Sequence, residues 1–180
     1  GTTTLRMANV ALKDPVNNPV SVSLQSGLIE IRPVPVRMEI TTPQTAVLTN
    51  QVFMVNVMAK GASDLYGGAF NLIFDPMRIK AVDVIKGDLL NQDGVPTHLL
   101  NKIDNDKGIV TLGVTRLGAT SGVSGTGRLC SITMKARDRG SATVKLANVL
   151  LEDSFLDPVQ VVQVPATVNI SPAVMKIVPS

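Results

Sequence analysis

Phe70, Leu72 and Phe74 alternate with Ala69, Asn71 and Ile73. A period of two places the phenylalanine and leucine side chains on one face of an extended strand, and no helix satisfies it. Gly67 and Gly68 open the run, and Asp75-Pro76 closes it, because proline cannot donate to a ladder. With four phenylalanines and no tryptophan in the chain, Phe70 and Phe74 mark this strand as the centre of a core.

The same period recurs elsewhere. Residues 51–60 carry apolar side chains on both faces, the pattern of a strand inside a sheet. Residues 36–41, 78–86, 97–103, 108–116, 126–136, 142–151 and 159–170 read as further strands. Gly87 to Leu90 has room for one helical turn, and Leu117 to Gly125 reads as a flexible glycine-rich loop. No helical period lasts beyond a turn or two. The chain is therefore expected to be all-β, and its 44% hydrophobic content supports a real core.

Several function classes lose support on composition. The charge of +3 is scattered rather than clustered, so nucleic acid is not an expected partner. No apolar run reaches the roughly 20 residues of a membrane span. His98 is the single histidine, and no nucleophile motif accompanies it. One tyrosine and no tryptophan leave no sugar-stacking platform. Cys130 lies in an alternating run and reads as a buried, inert thiol. Asp104, Asp106 and Gly108 have the opening spacing of a calcium loop, but no acidic residue follows at the twelfth position. The same residues suit a hairpin turn, which is the expectation. No enzyme activity, cofactor or metal is expected.

The chain also contains an internal repeat. Residues 4–31 align without a gap on residues 143–170, with ten of 28 positions identical. The period of 139 residues is about one domain. The expected organisation is a tail of a preceding copy and a proline-rich linker over 1–34, a complete domain over 35–170, and a C-terminal linker over 171–180. Residues 4–12 and 20–31 are expected to form an extra N-terminal β-hairpin. Their alternating hydrophobic residues suggest that they either add to an edge of the 35–170 sandwich or pair with a second chain, that is, self-association through 4–31.

Residues 35–170 resemble a cohesin-type module. The resemblance rests on Asp64 to Phe70 leading into a strand that ends Phe74-Asp75-Pro76, and on Val82 to Leu90. It rests also on Gly122 to Leu129 feeding the strand to Ala136, and on the closing run Ala147 to Asp153. Thr115 to Ala119 is similar to bacterial cohesins outside cellulosomes, including those attached to type II secretion secretins. The resemblance implies a nine-stranded antiparallel sandwich with jelly-roll topology. It further implies a non-catalytic, extracytoplasmic docking module of a bacterial protein, at the cell surface, secreted or periplasmic. The implied partner is a calcium-dependent dockerin-like module, or an envelope or secretion component. The strands matching 67–74, 108–116 and 142–151 would form the docking face, with Asn71, Ile73, Thr111, Thr115 and Lys145 pointing outward. The alternative is a structural spacer or adhesin-type repeat without a dedicated ligand.

Overall fold

A computed structural model of the chain describes residues 2–5, 12–13, 15–20, 27–30, 34–42, 46–118 and 121–173. The chain forms two compact units, Gly1–Val34 and Pro35–Ser180.

The first unit holds four short strands, β1 (Thr2–Leu5), β2 (Leu12–Lys13), β3 (Pro19–Val20) and β4 (Gly27–Glu30). β1 pairs antiparallel with β4, and β2 with β3. The turn before β3 holds Asn17 at a φ of 70°, a left-handed conformation that asparagine tolerates. Lys13 Nζ donates to Asn17 Oδ1 across this turn at 2.8 Å. The remaining residues of the expected hairpin lie outside the described residues.

The second unit is a β-sandwich of ten described strands. They are β5 (Val36–Thr41), β6 (Ala46–Leu48), β7 (Val52–Ile73), β8 (Ile79–Lys86) and β9 (Thr97–Asp104). After β10 (Ile109–Arg116) come β11 (Val123–Ala136), β12 (Gly140–Asp153), β13 (Val161–Val164) and β14 (Ala166–Ser171). A single 3₁₀ turn, Leu89–Asn91, occupies the place where one helical turn was expected. The all-β class agrees with the sequence. The strand count and the pairing differ from nine antiparallel strands, because β13 runs parallel to β5 and β14 parallel to β6.

β7 organises the sandwich. Its first half pairs with β5 and β11, and its second half with β10 and β12. The sequence suggests two strands here, 51–60 and 67–74, with a loop between them. The structure makes one strand of 22 residues. Gly61 and Asp64 adopt positive φ, at 68° and 54°, and bend the strand without ending it. Asp64 is not a glycine, so its side chain must hold this backbone in place. It accepts the Gly122 N–H at 2.7 Å and the Ser154 hydroxyl at 2.5 Å, while its own N–H donates to Ser124 Oγ at 3.1 Å.

Pro165 divides the expected 159–170 strand. Proline has no N–H to give a ladder, and here the chain leaves its β5 pairing and joins β12. At β8, the Asn105 side chain acts as a small strand of its own. Its Oδ1 accepts the Ala81 N–H at 2.8 Å and its Nδ2 donates to the Ala81 carbonyl at 2.9 Å.

Met38 of β5, Phe53, Val55 and Val57 of the first half of β7, Phe70 and Leu72 of its second half, and Val110 and Leu112 of β10 belong to one buried core. Cys130 is fully buried there, and burial pushes its thiol up to about 12. The thiol is therefore protonated and unreactive at neutral pH.

Candidate functional site: the outer face of β9, β10, β7 and β12

Four strands lie side by side in the order β9, β10, β7, β12. Their register sets residues in rows across the outer face. One row is Lys102, Thr111, Asn71 and Ala147. The next toward the hairpin end is Asp104, Ile109, Ile73 and Lys145. In the other direction come Leu100, Gly113, Ala69 and Leu150, then His98, Thr115, Gly67 and Glu152.

All five residues singled out in the sequence share this face. Thr111 and Lys145 are exposed, and Asn71, Ile73 and Thr115 are half-buried. Their alternation partners Phe70, Leu72, Val110, Leu112, Val114 and Leu146 face the core. Parity along the strands was enough to place them.

The sequence missed the apolar part of the face. Leu100 on β9 is 65% exposed and Leu150 on β12 is 48% exposed. Between them lie Gly113 and Ala69, which have little or no side chain. The result is a trough with a small-residue floor and leucine walls. Two shallow cavities, of about 270 and 300 Å³, meet at Leu100, and Tyr66, His98, Leu150 and Leu156 line the first of them.

Leu150 reaches this surface because of a bulge. Ala147 lies opposite Asn71 and Leu150 opposite Ala69, so β12 carries one extra residue. Asn148 takes the strain at a φ of 49°. Before the bulge odd-numbered residues face outward, and after it even-numbered ones do, so that Leu150 is exposed and Leu151 buried. The signal present in the sequence is an asparagine, a residue that tolerates left-handed backbone, inside a leucine-rich strand.

Arg116 anchors one end of the face. It is 2% exposed, and its guanidinium donates to the Leu90 carbonyl and to both carboxylate oxygens of Asp93, at 3.1 and 2.6 Å. The Arg116 hydrogen bonds hold the Asp93 carboxyl below the usual carboxylate range, against a smaller upward push from desolvation. This fork ties the 3₁₀ loop to the end of β10.

A larger depression of about 580 Å³ lies by the first half of β7, β11 and the 3₁₀ turn, beside Asn56, Met58, Asp88 and Arg128. Of its lining side chains only Asp88 and Arg128 pair with each other, and among the described residues Arg128 Nε is buried without a hydrogen-bond partner. Ser131 donates to Asn56 Oδ1 at 2.7 Å, and Asp88 Oδ1 accepts the Arg128 N–H at 3.2 Å.

Asp104 behaves as a turn residue, its Oδ1 accepting the Lys107 N–H at 3.1 Å. Gly108 closes the turn at a φ of 68°. Among the described residues, no three His, Cys, Asp or Glu side chains gather as metal ligands. No helix among them is long and apolar enough to cross a membrane. The trough, its mixed rim of Lys102, Lys145, His98 and Glu152, and its small floor are suited to seating another protein. Specific interfaces join an apolar centre to a polar edge.

Solved structures of similar fold include a non-cellulosomal cohesin from the hyperthermophilic archaeon Archaeoglobus fulgidus. It is 16% identical, with a TM-score of 0.64 over 77% of this chain and 92% of that one. The sixth cohesin of Acetivibrio cellulolyticus scaffoldin B, solved in complex with a Cel5 dockerin variant, is also 16% identical. Its TM-score is 0.63, over 77% of this chain and all of that one, 100%. A type II cohesin dyad from the ScaA scaffoldin of the same organism is 15% identical with a TM-score of 0.66, over 91% of this chain and 58% of that one. A search of curated protein sequences returned no match. The structural likenesses, at these identities, are ones of fold, the jelly-roll β-sandwich. The family model for the cohesin domain matches residues 36–171, three quarters of the sequence, and the chain belongs to the cohesin family.

Proposed function

We propose that residues 35–170 form a non-catalytic docking module that seats a dockerin-like protein on the outer face of β9, β10, β7 and β12. The observation that carries this reading is the trough between Leu100 and Leu150. Two exposed leucines over a floor of Gly113 and Ala69 offer a partner a desolvated centre. Apolar side chains of this kind can be covered at the centre of an interface, while the charged rim tunes partner choice. Asn71, Thr111 and Thr115 supply short polar groups beside the trough, and Lys145 and Ile73 extend it toward the β9–β10 turn. The same reading places the module outside the cytoplasm, in a bacterial surface, secreted or periplasmic protein.

The test is calorimetric titration of the 180-residue chain with a panel of purified dockerins, in calcium and after chelation. At least one dockerin is expected to bind in calcium. Leu100→Arg should weaken that binding tenfold or more, about 1.4 kcal/mol. Val162→Arg, at an exposed position on β13, should leave it unchanged. Undiminished affinity in Leu100→Arg would remove the docking face from this surface. A panel without any binder would favour the spacer reading.

A further inference from the structure

The repeat seen in the sequence is also a repeat of strand register. In β12 and β14, Thr143 lies opposite Thr167 and Val144 opposite Ala166. In β1 and β4, Thr4 lies opposite Leu28 and Leu5 opposite Gly27. A shift of 139 residues converts one set of pairs into the other, and it does the same for Thr2–Glu30 and Ser141–Asn169. The second ladder follows the same rule, with Lys13 opposite Pro19 and Glu152 opposite Pro158. The turns agree as well, with Asn17 at a φ of 70° and Leu156 at 65°.

Register is held most firmly where one face of a strand pair is buried. In the sandwich the buried positions are Ala142, Val144, Leu146, Leu151, Val168 and Ile170. At the repeat positions the sequence has Thr3, Leu5, Met7, Leu12, Ile29 and Ile31, apolar in five of six. Yet Leu12 is 53% exposed, whereas its counterpart Leu151 is 1% exposed. A two-stranded ribbon is marginal alone, and this one retains the apolar positions of a ribbon that is covered.

We propose that residues 2–30 are the closing strands of a second cohesin sandwich, and that their apolar side is taken by the core of an upstream module whose central strand corresponds to β7. In the sandwich of this chain, β12 lies along the second half of β7 and β14 lies along β12. The fitting partner is therefore a copy of the 35–139 portion. The cohesin dyad aligns over 91% of this chain, more than the second unit alone supplies. The parent polypeptide then presents two docking faces in tandem. They differ in charge where Lys13 stands in place of Glu152, which gives the two faces different partner preferences.

The experiment joins a copy of residues 35–139 directly to residue 1 of the 180-residue chain, so that Gly1 takes the place of Gly140. Leu12→Cys is introduced into both this fusion and the 180-residue chain, and thiol labelling is timed under native conditions. Cys130 of the 180-residue chain is buried and remains silent, and the upstream copy carries Cys130→Ala, so that only the introduced thiol reports. The introduced thiol is expected to label at least 100-fold more slowly in the fusion. Equal rates overturn the proposal. A second fusion replaces residues 2–30 with a Gly/Ser spacer of equal length. Its upstream copy should be digested quickly by a protease that spares the first fusion, and equal digestion of both also overturns the proposal. Neither readout uses a docking partner, so the result is independent of the fate of the docking face.

Discussion

Leu12 and Leu151 occupy the same place in two copies of one strand pair, with the same cross-strand neighbours by register. Leu151 is packed in the sandwich core, and Leu12 is more than half exposed. Local sequence, repeated at a spacing of 139 residues, is thus enough to reproduce pairing and turn geometry. It does not reproduce burial, which needs β7 and the opposite sheet. The two copies separate what a ribbon specifies by itself from what the rest of a module adds.

The largest expected effect sharpens that separation. Leu151→Ala should destabilise the chain by about 2–5 kcal/mol, the usual loss for a leucine truncated in a packed core. Leu12→Ala should stay within about 0.5 kcal/mol, as surface changes do. Urea unfolding of the two variants makes the comparison. Similar losses in both would mean that Leu12 is covered in solution and would break it.

A smaller effect comes from the turn after β12. Ser154 in one copy is Pro15 in the other. The Ser154 hydroxyl donates to Asp64, the residue that bends β7, so this contact belongs to a complete module. Ser154→Ala should cost about 1–2 kcal/mol, a hydrogen bond to a charged group. The cost should also depend on pH. Asp64 is held below the usual carboxylate range by the Ser154 hydroxyl first and the Gly122 N–H second. A depressed folded value stabilises above the unfolded value and is lost as the pH falls through the folded one. The gap between wild type and Ser154→Ala should therefore be full at pH 6 and narrow below about pH 4. A gap of the same size at pH 6 and pH 3 would show that the hydroxyl contributes through packing alone.

How much of this was legible follows from the physical signal each element carries. Period-two alternation located β5, β8, β9 and β10 and put Asn71, Ile73, Thr111, Thr115 and Lys145 on one face, because parity alone decides orientation within an unbroken strand. Where parity breaks, the sequence misleads. The extra residue at Asn148 turned Leu150 outward, and the left-handed Asp64 joined two apparent strands into β7. β6 has three residues, too few to show a period, and it pairs in parallel with a strand more than a hundred residues away. Leu99 and Leu100 are adjacent and chemically alike, so only the register with β10 decides that Leu100 is the outer one.

The smallest expected effect lies at the tip of the same turn. Leu156 holds a φ of 65°, while the other copy has Asn17 there at 70°. A branched aliphatic residue pays about 1–2 kcal/mol for this backbone, and asparagine pays less. Asp153 holds the turn in place by accepting the Phe155 and Asp157 N–H groups at 2.9 and 3.0 Å. Leu156 is exposed, so packing does not compensate for its strain. Leu156→Asn should therefore raise stability by up to about 1 kcal/mol. Leu156 also lines the trough beside Leu150, which gives a reason for leucine at a strained position. The substitution should weaken dockerin binding while it stabilises the fold. Thermal unfolding and calorimetric titration of the one variant decide the matter. A gain in stability with unchanged affinity would confine the docking face to the strands, and a loss of stability would show that the two turns are alike in backbone angle but not in what holds them.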